Sequence, residues 1–197
     1  KISAKKFTTH PIIIGTEKEY WWGINPKYSN NFNFISNTKF KSEFELKEKN
    51  TTSLNIKHSE ALAVNIRTDK KEIWNNFGFA IHQWKRVDLS SIYSSSAIQF
   101  KLKTNKVPKL KTTLRSYSGK TRAIHKILTE SNYSKIKDGY YIVCIPFKSF
   151  PNYKKLNWTT LKEIRFKLLE NSNFKIGDFK IIEFRGNPNK PNQWRGM

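Results

Sequence analysis

Short runs of alternating apolar and polar residues recur about every ten residues along this chain, and they constrain its fold more than any other feature. Turn-forming pairs such as Ser118-Gly119 and Asp138-Gly139 separate the runs, and helical periodicity is almost absent. The predicted strands cover residues 11–14, 39–46, 53–57, 61–67, 77–81, 97–103, 109–117, 122–129, 140–146, 163–169 and 175–184. The sequence therefore predicts an all-β fold, a β-sandwich of two packed antiparallel sheets.

The length and the composition of the C-terminal end predict the domain organisation. A chain of 197 residues suits one sandwich domain, which we place at residues 1–185. Residues 186–197 contain two prolines, three asparagines and two glycines without periodicity, so they are predicted to form a tail or linker. No apolar run reaches the roughly 18 residues of a membrane span. The chain opens at Lys1 without an initiator methionine, so we expect part of a longer protein.

Positive charge is the main indication of a partner. The chain has 37 Lys and Arg against 15 Asp and Glu, a formal net charge of +22, which favours a polyanionic ligand. Strand alternation places Lys109, Lys111 and Arg115 on the side opposite Leu110 and Leu114, so whole strand faces are predicted to be cationic. Nucleic acid would satisfy this charge, but the cations are dispersed over many strands and no nucleic-acid motif is present. The charge therefore indicates a polyanionic ligand, and a nucleic-acid-binding β protein stays an alternative with these two points against it.

The stretch from Trp84 to Phe184 carries a resemblance to a known family. Its ordered fragments are residues 84–93 (WKRVDLSSIY), 97–103 (AIQFKLK), 138–141, 145–150, 156–158, 161–166 and 176–181. In this order and spacing they resemble the jelly-roll carbohydrate-binding modules of secreted polysaccharide-degrading systems. The resemblance implies a galactose-binding-like β-sandwich jelly roll and a function in sugar binding.

The same resemblance implies how the protein would work. It implies a monomeric, non-catalytic module, secreted or at the cell surface, that targets an attached catalytic domain to its polysaccharide. Together with the charge, it favours an anionic ligand that is sulfated or contains uronate, such as an algal galactan, a fucan or alginate. In such modules aromatic rings stack on sugar faces, and Arg holds carboxylate or sulfate groups through paired hydrogen bonds.

Candidate ligand-binding residues combine cations, rings and histidines on predicted outward positions. Neighbouring strand residues point to opposite sides, so one of Trp21 and Trp22 is expected outside, and we select Trp22. The full set is Arg115, Tyr117, Arg122, His125, Lys101, Trp84, His82 and Trp22.

The resemblance further implies a structural calcium ion between the first and last strands, with Glu17, Glu19 and Asp178 in the matching places. A polysaccharide lyase is the enzymatic alternative, in which Arg115 would neutralise a uronate and Tyr117 or His125 would move the proton. The chain has no characteristic lyase motif and no recognisable pair of catalytic carboxylates, so we predict a binding module and not an enzyme.

Overall fold

The computed structural model describes residues 3–16, 19–22, 33–35, 63–67, 76–170 and 172–194. Strands dominate these residues, and the helical segments among them are short 3-10 turns. The strands are β1 (Lys5–Lys6), β2 (Ile12–Ile13), β3 (Tyr20–Trp22), β4 (Asn33–Ile35), β5 (Ala63–Arg67), β6 (Asn76–Ala80), β7 (Val87–Asp88), β8 (Ser96–Lys103), β9 (Leu110–Ser116), β10 (Ala123–Ile127), β11 (Tyr133–Lys137), β12 (Tyr140–Pro146), β13 (Leu161–Leu168) and β14 (Asn173–Glu183). The 3-10 turns are Tyr93–Ser95, Glu130–Asn132, Phe147–Ser149, Tyr153–Lys155 and Pro191–Gln193.

The strands form two sheets. Sheet A has the order β10-β9-β13-β6-β3, and β7 and β1 continue it beside the start of β13. Sheet B has the order β11-β12-β8-β14. The first part of β14 pairs with β5, which in turn pairs with β4, and the second part of β14 pairs with β2. The pairs are antiparallel except for β1 with β7. The predicted fold of two antiparallel sheets is confirmed.

A phenylalanine-rich core fills the space between the sheets. Phe77 and Phe166 of sheet A stack with ring centroids 5.1 Å apart, and Phe100 and Phe179 of sheet B lie 5.0 Å apart. Phe166 and Phe100 join the two layers at 5.5 Å. Aromatic pairs in these geometries add to the stabilisation that burial of the rings provides. The inward residues of each strand are thereby identified, and the intervening residues face outward.

Prediction of individual strands succeeded where apolar residues alternate. Strand β12 has the predicted bounds, and β8 starts one residue before its predicted start. Strand β11 was missed because it is an edge strand in which only Tyr133 and Ile136 are apolar. The strands predicted at residues 39–46 and 53–57 lie outside the described residues.

The segment predicted as a tail or linker, residues 186–197, instead folds over the outer side of sheet B as far as Trp194. The Trp194 ring lies 4.8 Å from that of Phe184, and a Cβ atom at Gly186 would lie 2.7 Å from Trp194. Pro191 is buried, and Cys144 and Phe184 belong to a small apolar cluster against which Trp194 packs. Proline and asparagine correctly predicted an irregular backbone, but packing of Trp194 holds the segment against the domain.

The helical segments in the described part of the chain are short 3-10 turns, and none of them could span a bilayer.

Candidate functional site

The outer side of sheet A gathers rings and cations. In β13, Ile164, Phe166 and Leu168 are buried in the core, so Glu163 and Arg165 face outward. Strand register then gives two rows of outward residues. One row is Arg115, Glu163, Ala80 and Tyr20, and the next is Thr113, Arg165, Gly78 and Trp22. We call this surface, with Trp84, Tyr117, Arg86 and Lys162 at its end, the platform face.

The Trp22 ring lies against Gly78, a strand position that has no side chain. Its neighbour Trp21 points inward, 4.8 Å from Phe79, so Trp22 points outward, as predicted for one residue of the pair. A Cβ atom on Gly78 would lie 2.3 Å from the carbonyl oxygen of Ile164 and 3.0 Å from Trp22 Cζ2. Glycine at position 78 therefore lets the indole approach the sheet closely.

Arg165 is held against this indole by a buried carboxylate. The Arg165 guanidinium carbon lies 4.9 Å from the Trp22 ring centroid. Arg165 Nη2 donates to Glu163 Oε2 at 3.2 Å, and Nε donates to Oε1 of the same carboxylate. Glu163 is fully buried, so the pair is shielded from water on the carboxylate side. Two parallel charge-assisted bonds fix the plane of the guanidinium, while the Arg165 side chain stays 36% exposed.

A second group of rings lies at the end of the platform face. The Tyr20 and Trp84 rings are 5.9 Å apart, and Trp84 is 37% exposed. Lys162 Nζ lies 5.6 Å from the Trp84 centroid and 4.8 Å from that of Tyr117. Arg86 approaches Tyr117 to 5.5 Å. The Trp84 and Tyr117 rings thus each have a cation within about 6 Å, the range of cation–π attraction.

The turn that presents Trp84 has an unusual backbone. His82, Gln83 and Trp84 have φ values of 51°, 53° and 68°, in the left-handed region that costs non-glycine residues about 1 kcal/mol or more each. Side chains beside other strands of sheet A hold this turn. The backbone N–H of Gln83 donates to Glu19 Oε2 at 3.1 Å, and the Tyr117 hydroxyl donates to the carbonyl oxygen of Trp84. Burial raises the pKa of Glu19, although hydrogen bonds from the backbone of Gln83 and His82 oppose this rise.

Four predicted site residues, Trp22, Trp84, Arg115 and Tyr117, meet on the platform face. His125 lies at its edge on β10, where Nδ1 shares a 2.8 Å hydrogen bond with Thr113 Oγ1. Burial, followed by the charges of Lys111 and Arg115, lowers the pKa of His125. Arg122 is exposed just before β10.

The other two predicted residues do not join the platform face. His82 lies in the turn before Trp84 with its ring 5.4 Å from Phe7, and burial, Lys5 and Lys85 lower its pKa. Lys101 belongs to β8 in sheet B, and its Nζ is 3.5 Å from the Asp178 carboxylate. The prediction that the selected cations lie on one face is therefore wrong for Lys101, which lies on sheet B. The sheet to which a strand belongs is decided by long-range pairing, which local alternation does not encode.

Tyr20, Lys162, Glu163 and Arg165 are platform residues that were absent from the predicted set. Strand alternation puts Arg165 and Glu163 on the side opposite the apolar residues of β13. Tyr20 is two residues before Trp22 on the same strand, so it lies on the same side as Trp22. The missing information was the pairing of β13 with β6 and of β6 with β3.

The residues implied for calcium do not form an oxygen cage in the described structure. Asp178 is 3.5 Å from both Lys101 Nζ and Lys180 Nζ, and Glu19 holds the turn before Trp84. Glu17 lies outside the described residues. Among the residues described, no group of three or more His, Cys, Asp or Glu side chains could hold a metal ion. Calcium requires several oxygen ligands, and the carboxylate of Asp178 already has two lysine neighbours, so the calcium site stays a prediction.

Solved structures show the same fold at low sequence identity. A family 30 carbohydrate-binding module of the cellulosomal cellulase Cel9D-Cel44B of Clostridium thermocellum has a TM-score of 0.51 and 15% identity, over 91% of this chain and 96% of that one. Another family 30 module gives a TM-score of 0.51 and 14% identity, over 92% and 87%. The module CtCBM11 gives 0.53 and 13%, over 89% and 96%. No curated protein matches the chain.

The family comparison covers most of the chain. The model of carbohydrate binding domain 30 matches residues 15–183, which include strands β3 to β14 and the platform face from Tyr20 to Arg165. The family resemblance inferred from residues 84–184 is confirmed, and the lyase alternative is set aside because these families are non-catalytic binding modules. The chain belongs to the carbohydrate binding domain 30 family of β-sandwich modules.

Proposed function

We propose that the platform face binds an acidic polysaccharide, with rings carrying the sugar faces and cations carrying the anionic groups. The arrangement of Trp22, Arg165 and Glu163 is the observation on which this proposal depends. Trp22 offers an aromatic surface next to a guanidinium whose orientation is fixed by a buried carboxylate. A pyranose ring resting on the indole would place a sulfate or carboxylate substituent near the outward donors of Arg165.

The spacing of the rings suits an extended chain. Tyr20 and Trp22 are two residues apart on β3, which separates their Cα atoms by about 6.6 Å. Trp84 extends the aromatic surface beyond Tyr20, and Lys162 and Arg86 accompany Trp84 and Tyr117. Several sugar units would therefore meet alternating ring and cation contacts along this face.

Charge favours an acidic ligand over a neutral one. The chain carries +22, and Arg86, Arg115, Lys162 and Arg165 all lie on the platform face. The competing candidate is a neutral glucan, because one similar module comes from a cellulase. We favour a sulfated galactan or fucan, with alginate next, since Arg matches the geometry of sulfate and carboxylate oxygens.

Affinity electrophoresis tests the ligand class. The protein is run through gels that contain a sulfated galactan, alginate or a neutral β-glucan, with a DNA mobility shift in parallel, at about 0.1 M and about 1 M salt. We expect retention by the sulfated galactan that weakens but persists at high salt, since stacking does not depend on screening. Equal retention by every polyanion, with complete release at high salt, would identify a nonspecific polycation. Stronger retention by the neutral glucan would overturn the acidic assignment and retain a sugar-binding function.

Variants locate the binding surface. Trp22→Ala removes the central ring and is expected to weaken binding about 30-fold, the effect of a binding hot spot of about 2 kcal/mol. Arg115→Gln and Lys148→Gln each remove one positive charge. Lys148 is exposed in the 3-10 turn Phe147–Ser149, so only Arg115→Gln should reduce affinity appreciably. Equal effects of the two charge variants would show that total charge, and not the platform face, governs binding.

The wider context of the module is part of the same proposal. Modules of this type are usually attached to catalytic domains, and we propose that this chain directs such a domain to its polysaccharide outside the cell. Deleting the module from the complete protein should reduce activity on the insoluble polymer and leave activity on short soluble fragments unchanged.

A further inference from the structure

The outer side of sheet B, opposite the platform face, contains a groove of about 510 Å³. Its floor is formed by Gln99 of β8 with Ile142 and Cys144 of β12. Ser134 of β11 lines one side, and Asn192 and Trp194 of the C-terminal segment line another. We call it the sheet B groove.

The C-terminal segment that completes this groove lies beyond the family match, which ends at residue 183. It is held in place by packing, because Pro191 is buried and Trp194 contacts both Phe184 and Gly186. Its 3-10 turn, Pro191–Gln193, carries Asn192 to the groove. A segment beyond the family match thus adds a ring and an amide to the surface of sheet B.

The lining has the chemistry of a saccharide site. Trp194 supplies an aromatic surface, Gln99 and Asn192 supply amides that both donate and accept, and Ser134 supplies a hydroxyl. Cys144 and Ile142 make the floor apolar. Burial raises the pKa of the Cys144 thiol to about 12, so it stays neutral and forms part of this apolar floor. A few polar groups converging on an apolar floor are typical of small-ligand sites.

Positive charge borders the groove on the sheet itself. Lys180 is the cross-strand partner of Gln99, and Lys101 is the partner of Ile142. Both lysine Nζ atoms lie 3.5 Å from the single carboxylate of Asp178, so this group has one net positive charge. An acidic substituent on a sugar seated in the groove would be attracted to it.

We propose that the sheet B groove is a second saccharide-binding site, which takes one or two acidic sugar units. The module would then hold polysaccharide on two opposite sides, and a polymer long enough to reach another module would be cross-linked. This second site lies on a different surface from the platform face. The acidic-sugar ligand assigned to it rests on the proposed function. Two weak sites on one module raise the apparent affinity for a polymer through effective concentration.

Fluorine NMR on protein labelled with 5-fluorotryptophan tests the proposal and separates it from the proposed function. The six tryptophans give separate probes, assigned by single Trp→Phe variants, with Trp22 and Trp84 on the platform face and Trp194 in the groove. The probe ligand is a short sulfated galactan oligosaccharide. We expect Trp194 to shift in a saturable manner, both in the native protein and in the Trp22→Ala variant. A Trp194 signal that stays unmoved while Trp22 and Trp84 saturate would overturn the second site alone.

If Trp194 saturates and the platform signals do not move, the proposed function fails and the groove remains as a site. If the Trp194 response disappears in Trp22→Ala, it was transmitted from the platform face, and the second site is rejected. Asn192→Ala and Gln193→Ala provide a matched pair, because both residues are exposed in the same 3-10 turn and only Asn192 lines the groove. Asn192→Ala should weaken the Trp194 titration roughly two- to tenfold, the value of one hydrogen bond, whereas Gln193→Ala should leave it unchanged. Equal titrations for both variants would also reject the site.

Discussion

At the scale of single residues, the buried Glu163 determines how the cation on the platform face is presented. Glu163 is fully buried, and Arg165 neutralises it through two hydrogen bonds. Arg165→Gln would leave the carboxylate buried and uncompensated, so we expect the free energy of unfolding to fall by about 2–3 kcal/mol. The double variant Glu163→Gln with Arg165→Gln removes both charges and should lose less stability than the single variant. Urea denaturation measures both changes.

Arg122→Gln serves as the control for this pair. Arg122 is exposed, so its replacement should change the free energy of unfolding by no more than about 0.5 kcal/mol. Equal losses for the single and the double variant would show that Glu163 is not stabilised by Arg165.

Tyr117 is a second residue with a positioning role. Its hydroxyl donates to the carbonyl oxygen of Trp84, whose backbone is left-handed. Tyr117→Phe retains the ring contacts with Lys162 and removes this bond. We expect the free energy of unfolding to fall by about 1 kcal/mol and affinity for the acidic polysaccharide to fall severalfold, because the turn is less well held. Calorimetric binding and urea denaturation measure the two effects. Tyr153→Phe, whose ring lies near Tyr93 away from the platform face, should leave affinity unchanged.

At the scale of secondary structure, strand β6 requires glycine at position 78, where the Trp22 ring lies across it. Gly78→Ala would bring a methyl group to 2.3 Å from the Ile164 carbonyl oxygen and 3.0 Å from Trp22 Cζ2. Backbone atoms of β13 cannot move without breaking the ladder, so we expect a loss of about 1–3 kcal/mol in unfolding free energy and displacement of Trp22. Thermal unfolding and the fluorine signal of Trp22 report the two effects. Asn76→Ala on the same strand should leave the Trp22 signal in place.

The elements differ in how well local sequence predicts them. Strands β8 and β12 are central in sheet B and follow their apolar alternation. Strand β11 is an edge strand whose order depends on pairing with β12, and its lysines and serine give a weak pattern. The C-terminal segment has the composition of a linker, yet Trp194 finds a partner in Phe184. Tertiary contacts, and not local sequence, therefore decided the structure of β11 and of the C-terminal segment.

At the scale of the whole molecule, burial of histidines should make stability depend on pH. Burial lowers the pKa values of His10, His82 and His125 below 6.5, so the unfolded chain binds protons more readily than the folded protein. The free energy of unfolding should therefore fall as pH decreases through 6.5, until the folded histidines also become protonated. Glu19, whose pKa is raised, acts in the opposite direction at lower pH.

The variant His82→Asn tests this dependence. Asparagine tolerates the left-handed backbone at position 82 and does not titrate, so the turn is preserved and one histidine contribution is removed. Urea denaturation at several pH values between 7.5 and 5.5 should give a smaller slope than in the native protein. An unchanged slope would show that His82 does not contribute.

The sequence by itself determined the all-β class, the outward direction of alternate residues, the strongly positive charge and the family resemblance. These properties depend on residue type and on spacing within one strand, which are local quantities. Only the tertiary structure decided that Lys101 belongs to the opposite sheet, that Arg165 adjoins Trp22 across Gly78, and that Trp194 closes a groove on sheet B. Strand pairing brings together residues far apart in the chain, so a pattern read along the chain cannot specify which rings and cations share a surface.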